Sequence, residues 1–589
     1  MAGDVYRAPG LDVANVAAHL PRMAREQPDV RAIVSPTASL GNALRSAGSL
    51  EYDELSYREL DALAAEYAAG LGEVGIARGD RVVLMVPPSL PFFALVFGMF
   101  EAGVVPVVLD PGMGPERLGK CLTRAEPSAF IGIPRAHVAR RALGWGKASI
   151  RTNVVVGSFP RVLGGGGERA VSLEELRLRG VRRGRQRLAP VSVDDVAAIL
   201  FTSGSTGVPK GAVYTHGNFL AQVDAIRAMY GITPGEIDLP TFPLFALFDP
   251  ALGMTTVIPR MDFTKPGSVS PRQITDPIRR FGITNMFGSP ALLDRVAQGS
   301  DPSHAPLLPT LRRVITAGAP VSPRILEAFA RLLGADARIH TPYGATESLP
   351  IATIDHGTVL EETRAETDAG RGVCVGRVVP SATVEILRIS DGPRHTFTLD
   401  ERVSAGEVGE ICVAGPQVTE SYFRDDENTA LHKMRGPDGR LFHRVGDVGA
   451  FDDTERLWFA GRKSQRVTVG ERRYFTEHVE GPFNAHRFVR RTAFVGPVID
   501  GRVMPTLCIE PLPAKLPPKP GAFVDLRHRE GVGAVIERFY LVDRFPVDPR
   551  HNAKIHREEL REHVVRAWAR GDRGQTWDEM AAMQARGIR

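Results

Sequence analysis

Residues 202–211 of this 589-residue chain bring together Thr202, Ser203, Gly204, Ser205, Thr206, Gly207, Val208, Pro209, Lys210 and Gly211. Glycines let backbone N–H groups approach an anion closely, hydroxyls add neutral donors, and the lysine adds a point charge, so the run suits a triphosphate. The alternative is a Gly/Ser surface turn. It is not the common P-loop, because Lys210 is followed by Gly211 instead of Ser or Thr. Nor does it fit Gly-x-Ser-x-Gly, which disfavours a serine hydrolase. The chain has only nine lysines among its 73 basic residues, so the use of one here instead of arginine strengthens the anion-binding reading.

Further motifs follow in order: Gly318-Ala319-Pro320, then Tyr343-Gly344-Ala345-Thr346-Glu347, Gly446-Asp447, Gly461-Arg462, and Asn552-Ala553-Lys554-Ile555. Singly they are weak, and Gly446-Asp447 alone reads as a turn. Together with residues 202–211 the set closely resembles the adenylate-forming superfamily of acyl-CoA synthetases, luciferases and peptide-synthetase adenylation domains, over almost the whole chain. The resemblance implies ATP and Mg²⁺ as cofactors. It implies that residues 202–207 and Lys210 hold phosphates, that Gly318, Ala319 and Pro320 border the adenine, and that Tyr343 stacks on it. It further implies that Thr346 meets the α-phosphate, that Glu347 and Thr206 serve the metal, and that Asp447 binds the ribose hydroxyls. Arg462 opens a mobile C-terminal domain with a hinge near Ser464, and Lys554 orients the carboxylate and α-phosphate.

The substrate side departs from the commonest pattern. Acyl-CoA synthetases and luciferases often have Pro-x-Phe-His here, whereas this chain reads Pro243-Leu244-Phe245-Ala246-Leu247-Phe248-Asp249-Pro250, with Ala246 in place of the histidine. Residues 242–255, with 341–350 and 552–554, resemble the β-lactone synthetases of bacterial long-chain olefin biosynthesis. That resemblance implies ATP-dependent activation of a long-chain 2-alkyl-3-hydroxy acid and closure by its own hydroxyl, without a thiol. It also implies assembly with a β-lactone decarboxylase and an NADPH-dependent reductase. Ala246, Phe248, Asp249 and Met286 are candidate substrate residues, with Asp249 as base or orienting group for the hydroxyl. The alternatives are a packing variation at Ala246, a turn opened by Asp249-Pro250, and core packing for Met286. A long-chain acyl-CoA ligase and a non-catalytic acyl- or nucleotide-binding protein are the rival functions. His216 reads as a structural helix-start residue.

The elements that must position these residues are those of an α/β protein. A chain of 589 residues exceeds one core. Apolar positions 60, 63, 64, 67, 68 and 71 lie on one face of a helix over 57–74. Residues 82–109 are apolar enough to suggest a membrane span, but their prolines divide them into strand 82–86, helix 91–102 and strand 104–109. Further strands are expected at 153–157, 196–201 and 313–316, and a small β-rich subdomain at about 375–460. The fold expected is a large N-terminal domain, 1–461, of α/β subdomains plus that β-rich one, followed by a small mobile α+β domain, 462–589, carrying Lys554.

The composition, 43% hydrophobic and 24% charged, is ordinary, and a net charge of +5 gives no argument for nucleic acid. Cys121, Cys374, Cys412 and Cys508 lie far apart, so neither a zinc site nor a disulfide framework is indicated. With no secretory signal or transmembrane segment in view, a cytoplasmic location is expected. Gly164 to Gly167 and the five prolines of 511–520 read as surface loops, and the arginine-rich 177–187 as a solvated loop.

Overall fold

The computed structural model describes residues 13–38, 45–46, 49–158, 168–202, 209–300, 307–487, 489–512, 526, 535–548 and 554–579. The two glycine- and proline-rich segments, 164–167 and most of 511–520, lie outside the described residues.

Two seven-stranded sheets form the larger part. The first runs Arg169–Ser172, Thr152–Val155, Ala129–Gly132, Arg81–Met85, Val105–Val108, Val196–Thr202, Lys210–Thr215, parallel except for its last pair. The second runs Arg338–His340, Arg313–Ile315, Asn285–Phe287, Ile237–Pro240, Thr255–Val257, Arg31–Pro36, Tyr52–Ser56, again antiparallel only at its final pair. Parallel strands need helical crossovers and are buried on both faces, which is why they read as short apolar runs. The stretch 82–109 shows this: strand Arg81–Met85, helix Leu90–Glu101 and strand Val105–Val108. Phe92 to Glu101 are all buried, so this helix is apolar because it is enclosed by protein. Among the described residues no helix is long and apolar enough to cross a membrane.

Helix Tyr57–Glu73 starts at a capping box in which the Ser56 hydroxyl accepts from the Glu59 N–H and Glu59 accepts from the Ser56 N–H at 2.8 Å. It packs on helix Leu173–Arg183, which corrects the expected loop at 177–187. Leu176 and Gly180 share its buried face, and the closeness of the two helices needs a glycine, since a Cβ at Gly180 would lie 1.8 Å from the Glu66 carbonyl oxygen. Four of the arginines are paired: Arg177 with Glu174 and Glu66, Arg179 with Glu175, Arg183 with Glu73 and Arg185 with Asp61. Gly180 and the charge density mask the helical face in the sequence.

A third, antiparallel sheet contains Tyr343–Ala345, Ser348–Thr353, Val373–Val378, Arg456–Arg462, Leu441–Phe451, Gly409–Ala414 and Thr383–Leu387, with Lys433–Arg435 paired at its side. It therefore begins about thirty residues before the expected 375, at the Tyr-Gly-x-Thr-Glu motif itself. Beyond Arg462 the chain forms a small α+β part. Strands Val489–Val495, Thr506–Pro511 and Arg538–Leu541 pair there beside helices Thr476–Asn484 and Arg557–Ala569. All four cysteines are buried thiols.

Candidate active site

The loops at the ends of both parallel sheets, the edge of the third sheet and the C-terminal part enclose a cavity of about 2290 Å³. Thr202 and Lys210 are cross-strand partners at the last position of the pair Val196–Thr202 and Lys210–Thr215, and both line the cavity. Ser203, Gly204, Ser205, Thr206 and Gly207 lie outside the described residues. Gly318, Ala319 and Pro320 follow strand Arg313–Ile315 and also line the cavity, with Gly318 at φ 100°.

Tyr343 sits on the first strand of the third sheet, and Thr346 and Glu347 form the turn into the second, all three lining the cavity. The Thr346 carbonyl accepts from the Tyr214 hydroxyl, and Glu347 Oε1 accepts from the Tyr422 hydroxyl at 2.6 Å. Burial first, then the Glu347 charge, raises the Tyr422 phenol, so it stays a donor. Asp447, 4% exposed, follows Gly446 at φ 80°. Its Oδ2 accepts from the Tyr343 hydroxyl at 2.7 Å, and Arg462 Nη1 lies 2.9 Å from Oδ1 across the ladder. Burial raises the Asp447 carboxyl, while Arg462, Tyr343 and Lys554 oppose that rise. Lys554 lines the same cavity, and its charge favours the ionised form of Asp447. Arg462 is held protonated mainly by Asp447.

The tetrad of substrate candidates is placed elsewhere. Ala246 is 1% exposed, in the core beneath the first sheet. Phe248 packs against the cluster of Val223, Tyr230 and Leu252. Met286 is 1% exposed and joins the core of Leu239, Leu292 and Leu293. Strand parity sends its neighbour Phe287 the opposite way, onto Phe245 at 4.3 Å between ring centroids. Asp249, expected as a base, is buried at the start of the short helix Asp249–Leu252, where it accepts from the Thr256 hydroxyl at 2.9 Å. Burial and the neighbouring Asp238 carboxyl hold it well above the usual range. From this segment the cavity is lined instead by Phe242, Pro243 and Leu244, and from across it by Phe263, Phe92 and Trp145. His216 starts helix His216–Tyr230, and its Nδ1 accepts from the Val16 N–H at 3.2 Å, a structural role as expected.

Among the cavity-lining residues outside the motifs are Tyr422, His432 and Asp425. Lys210 Nζ is 2.8 Å from His432 Nε2 and 5.4 Å from the Tyr422 ring centre. Asp425 caps helix Asp426–His432 and pairs with Arg124 at 2.7 Å. An Asp before a helical stretch is the one local signal among them, and it marks a helix start rather than a site.

Among the described residues no group of three or more His, Cys, Asp or Glu side chains is gathered to cage a metal. Glu347, one of the carboxylates lining the cavity, suits Mg²⁺, which keeps waters and substrate phosphates as its other ligands.

The family model for AMP-binding enzymes matches residues 20–423. The chain belongs to the AMP-binding enzyme family. As such it is an ATP-dependent, adenylate-forming ligase, and Thr202, Lys210, Tyr343, Glu347, Asp447 and Lys554 all line the cavity. It is 48% identical over 554 residues to an olefin β-lactone synthetase of Stenotrophomonas maltophilia, covering 93% of this chain and 97% of that one. It is likewise 48% identical over 560 residues to an olefin β-lactone synthetase of Xanthomonas campestris, with the same coverage. A long-chain-fatty-acid–CoA ligase of Salmonella typhimurium is 26% identical over 475 residues, 75% of this chain and 78% of that one. An amide bond synthetase from Marinactinospora thermotolerans shares the fold, with a TM-score of 0.73, 23% identity and coverage of 93% and 99%. So does ATP-bound MatB from Rhodopseudomonas palustris, with a TM-score of 0.72, 20% identity and coverage of 94% and 99%.

Proposed function

We propose that this enzyme adenylates a long-chain 2-alkyl-3-hydroxy acid with ATP and closes it to a β-lactone. The observation that carries this reading is the 48% identity, over nearly the full length of both chains, to olefin β-lactone synthetases. It is nearly twice the identity to the fatty acyl-CoA ligase.

The chemistry follows from charge. A carboxylate resists nucleophiles and has no good leaving group, so it is first joined to phosphorus. A substrate carboxylate oxygen bonds to the α-phosphorus, and the bond to pyrophosphate breaks. Two anions must meet, so the protein's task is positioning and neutralisation. Lys554 acts at the carboxylate and α-phosphate, Lys210 and the backbone of 202–207 at the phosphates, Thr346 at the α-phosphate, and Asp447 at the ribose. Glu347 and Thr206 would hold Mg²⁺, which supplies further phosphate neutralisation when bound. The substrate's 3-hydroxyl oxygen then bonds to the acyl carbon, its proton passes to the medium, and the bond to AMP breaks. The nucleophile is tethered, so only orientation is required. We place the domain boundary at Arg462 and the hinge at Ser464, so that Lys554 enters and leaves with the C-terminal part. A cytoplasmic location, and assembly with the decarboxylase and reductase of the same pathway, complete the proposal.

The test is incubation of the purified protein with ATP, Mg²⁺ and a racemic 2-alkyl-3-hydroxy acid, with and without CoA. A β-lactone retaining both alkyl chains, formed without CoA, is expected. An acyl thioester with strict CoA dependence would replace the proposal by an acyl-CoA ligase. Failure to release AMP from any acid would leave a binding protein.

A further inference from the structure

Lys210 is one of the few lysines in the chain, and its ammonium is restrained from two sides. On one side lies the Tyr422 ring, 5.4 Å from Nζ, whose hydroxyl is bonded to Glu347. On the other lies His432 Nε2, at 2.8 Å. His432 closes helix Asp426–His432, and its Nδ1 is 3.1 Å from the carbonyl oxygen of Arg444. A carbonyl oxygen only accepts, so Nδ1 carries the ring proton and Nε2 presents a lone pair to the ammonium. Arg444 is itself fixed, fully buried and doubly bonded to Glu410 at 3.1 and 2.8 Å, so the imidazole has a rigid anchor.

We propose that His432 is a positioning residue which, as a neutral imidazole accepting through Nε2, holds the Lys210 ammonium at the phosphate side of the cavity. The proposal rests on the reading of that cavity as an ATP site. It goes beyond the family motifs, none of which includes residues 425–432.

The surrounding charges fit this role. Burial lowers Lys210, and the Glu347 and Asp425 carboxylates oppose it. Burial first and Lys210 second press His432 down to about 4, with Lys463 adding to the drop and Glu347 opposing it. His443 approaches the His432 carbonyl with Nδ1 at 3.3 Å, and the buried Lys433 lies 5.9 Å from the Tyr422 ring centre. His432 is therefore neutral through the working pH range, and its lone pair is available to the Lys210 ammonium. Without that acceptor the ammonium is less stabilised, and the alkaline limb of adenylation moves to lower pH.

The test is acid-dependent ATP–pyrophosphate exchange, as a function of pH, in the wild type, H432N, H432Q, K210M and K210M/H432N. Asparagine reaches the place of Nδ1, so H432N keeps the bond to Arg444 but loses the acceptor for Lys210. Glutamine reaches the place of Nε2, so H432Q keeps that acceptor. H432N should lose about tenfold to a hundredfold in exchange rate, the worth of a hydrogen bond to a charged group. Its alkaline limb should fall, and H432Q should recover most of both. In the K210M background H432N should cost nothing further. A loss of the same size in both backgrounds, or an unmoved alkaline limb, overturns the proposal. A wild type that exchanges nothing removes the ATP reading and this proposal with it.

Discussion

Replacing Asp447 tests the nucleotide geometry most directly. The carboxylate sits at the end of an antiparallel ladder, 4% exposed, with the Tyr343 hydroxyl on Oδ2 at 2.7 Å and Arg462 2.9 Å from Oδ1. Burial raises its carboxyl, but Arg462, Tyr343 and Lys554 all favour the charged form. An ionised acceptor for a ribose diol contributes about 1.5–3 kcal/mol. Asp447→Ala should therefore weaken AMP or ATP binding by about 10- to 150-fold, at ~1.4 kcal/mol per tenfold. Asp447→Asn keeps one oxygen acceptor without the charge, and a neutral bond is worth about 0.5–1.5 kcal/mol, so its loss should be intermediate, about fivefold. The alanine variant also leaves the half-buried Tyr343 hydroxyl without its acceptor, at a cost of about 1 kcal/mol of folding stability. Calorimetric titration with AMP, alongside a thermal melt to confirm the fold, separates the two effects. An alanine variant that melts cooperatively and binds AMP within twofold of wild type refutes the assignment of Asp447 to the ribose.

Lys554→Ala should abolish pyrophosphate release while changing ATP affinity little, and release at the wild-type rate would remove Lys554 from the reacting atoms. The buried Asp238–Asp249 pair should tie stability to pH. Burial lifts Asp238 from 3.8 to about 7, and burial with the Asp238 charge holds Asp249 well above the usual carboxylate range. Raised carboxyls stabilise the fold fully below pH ~4 and lose that contribution as pH rises through ~7. Asp249→Asn removes the like charge, so its melting temperature should vary less between pH 5 and 8 than that of the wild type, and parallel curves would refute the coupling. The same variant should slow pyrophosphate release and lactone formation equally, since Asp249 is buried away from the cavity. Gly180→Ala should destabilise by about 1–3 kcal/mol, because its Cβ would meet the Glu66 carbonyl oxygen at 1.8 Å. An unchanged melting temperature would mean that the two helices separate at no cost.

The sequence by itself determined what is local or ordered along the chain. The order of the motifs from Thr202 to Lys554 identified an adenylate-forming enzyme, and the prolines within 82–109 turned an apparent membrane span into strand, helix and strand. The helix Tyr57–Glu73 followed from its apolar face. Which side chains meet was decided only by the tertiary structure. Met286 and Phe287 are adjacent in sequence, yet a pleat sends one into the core and the other toward the rings of the 242–245 segment. Asp249 looked like a reactive carboxylate because its partner, Asp238, comes from a different strand and is invisible to any local pattern. The helix at 173–183 hid behind a glycine whose purpose is a contact more than a hundred residues away, with Glu66. His432 carries no motif at all, and reaches Lys210, 222 residues earlier, only because helix Asp426–His432 and strand Lys210–Thr215 converge on one cavity. Local propensity and spacing write the elements and the family signature into the chain, while pairings at long sequence separation arise from sheet register and packing, which one sequence does not state.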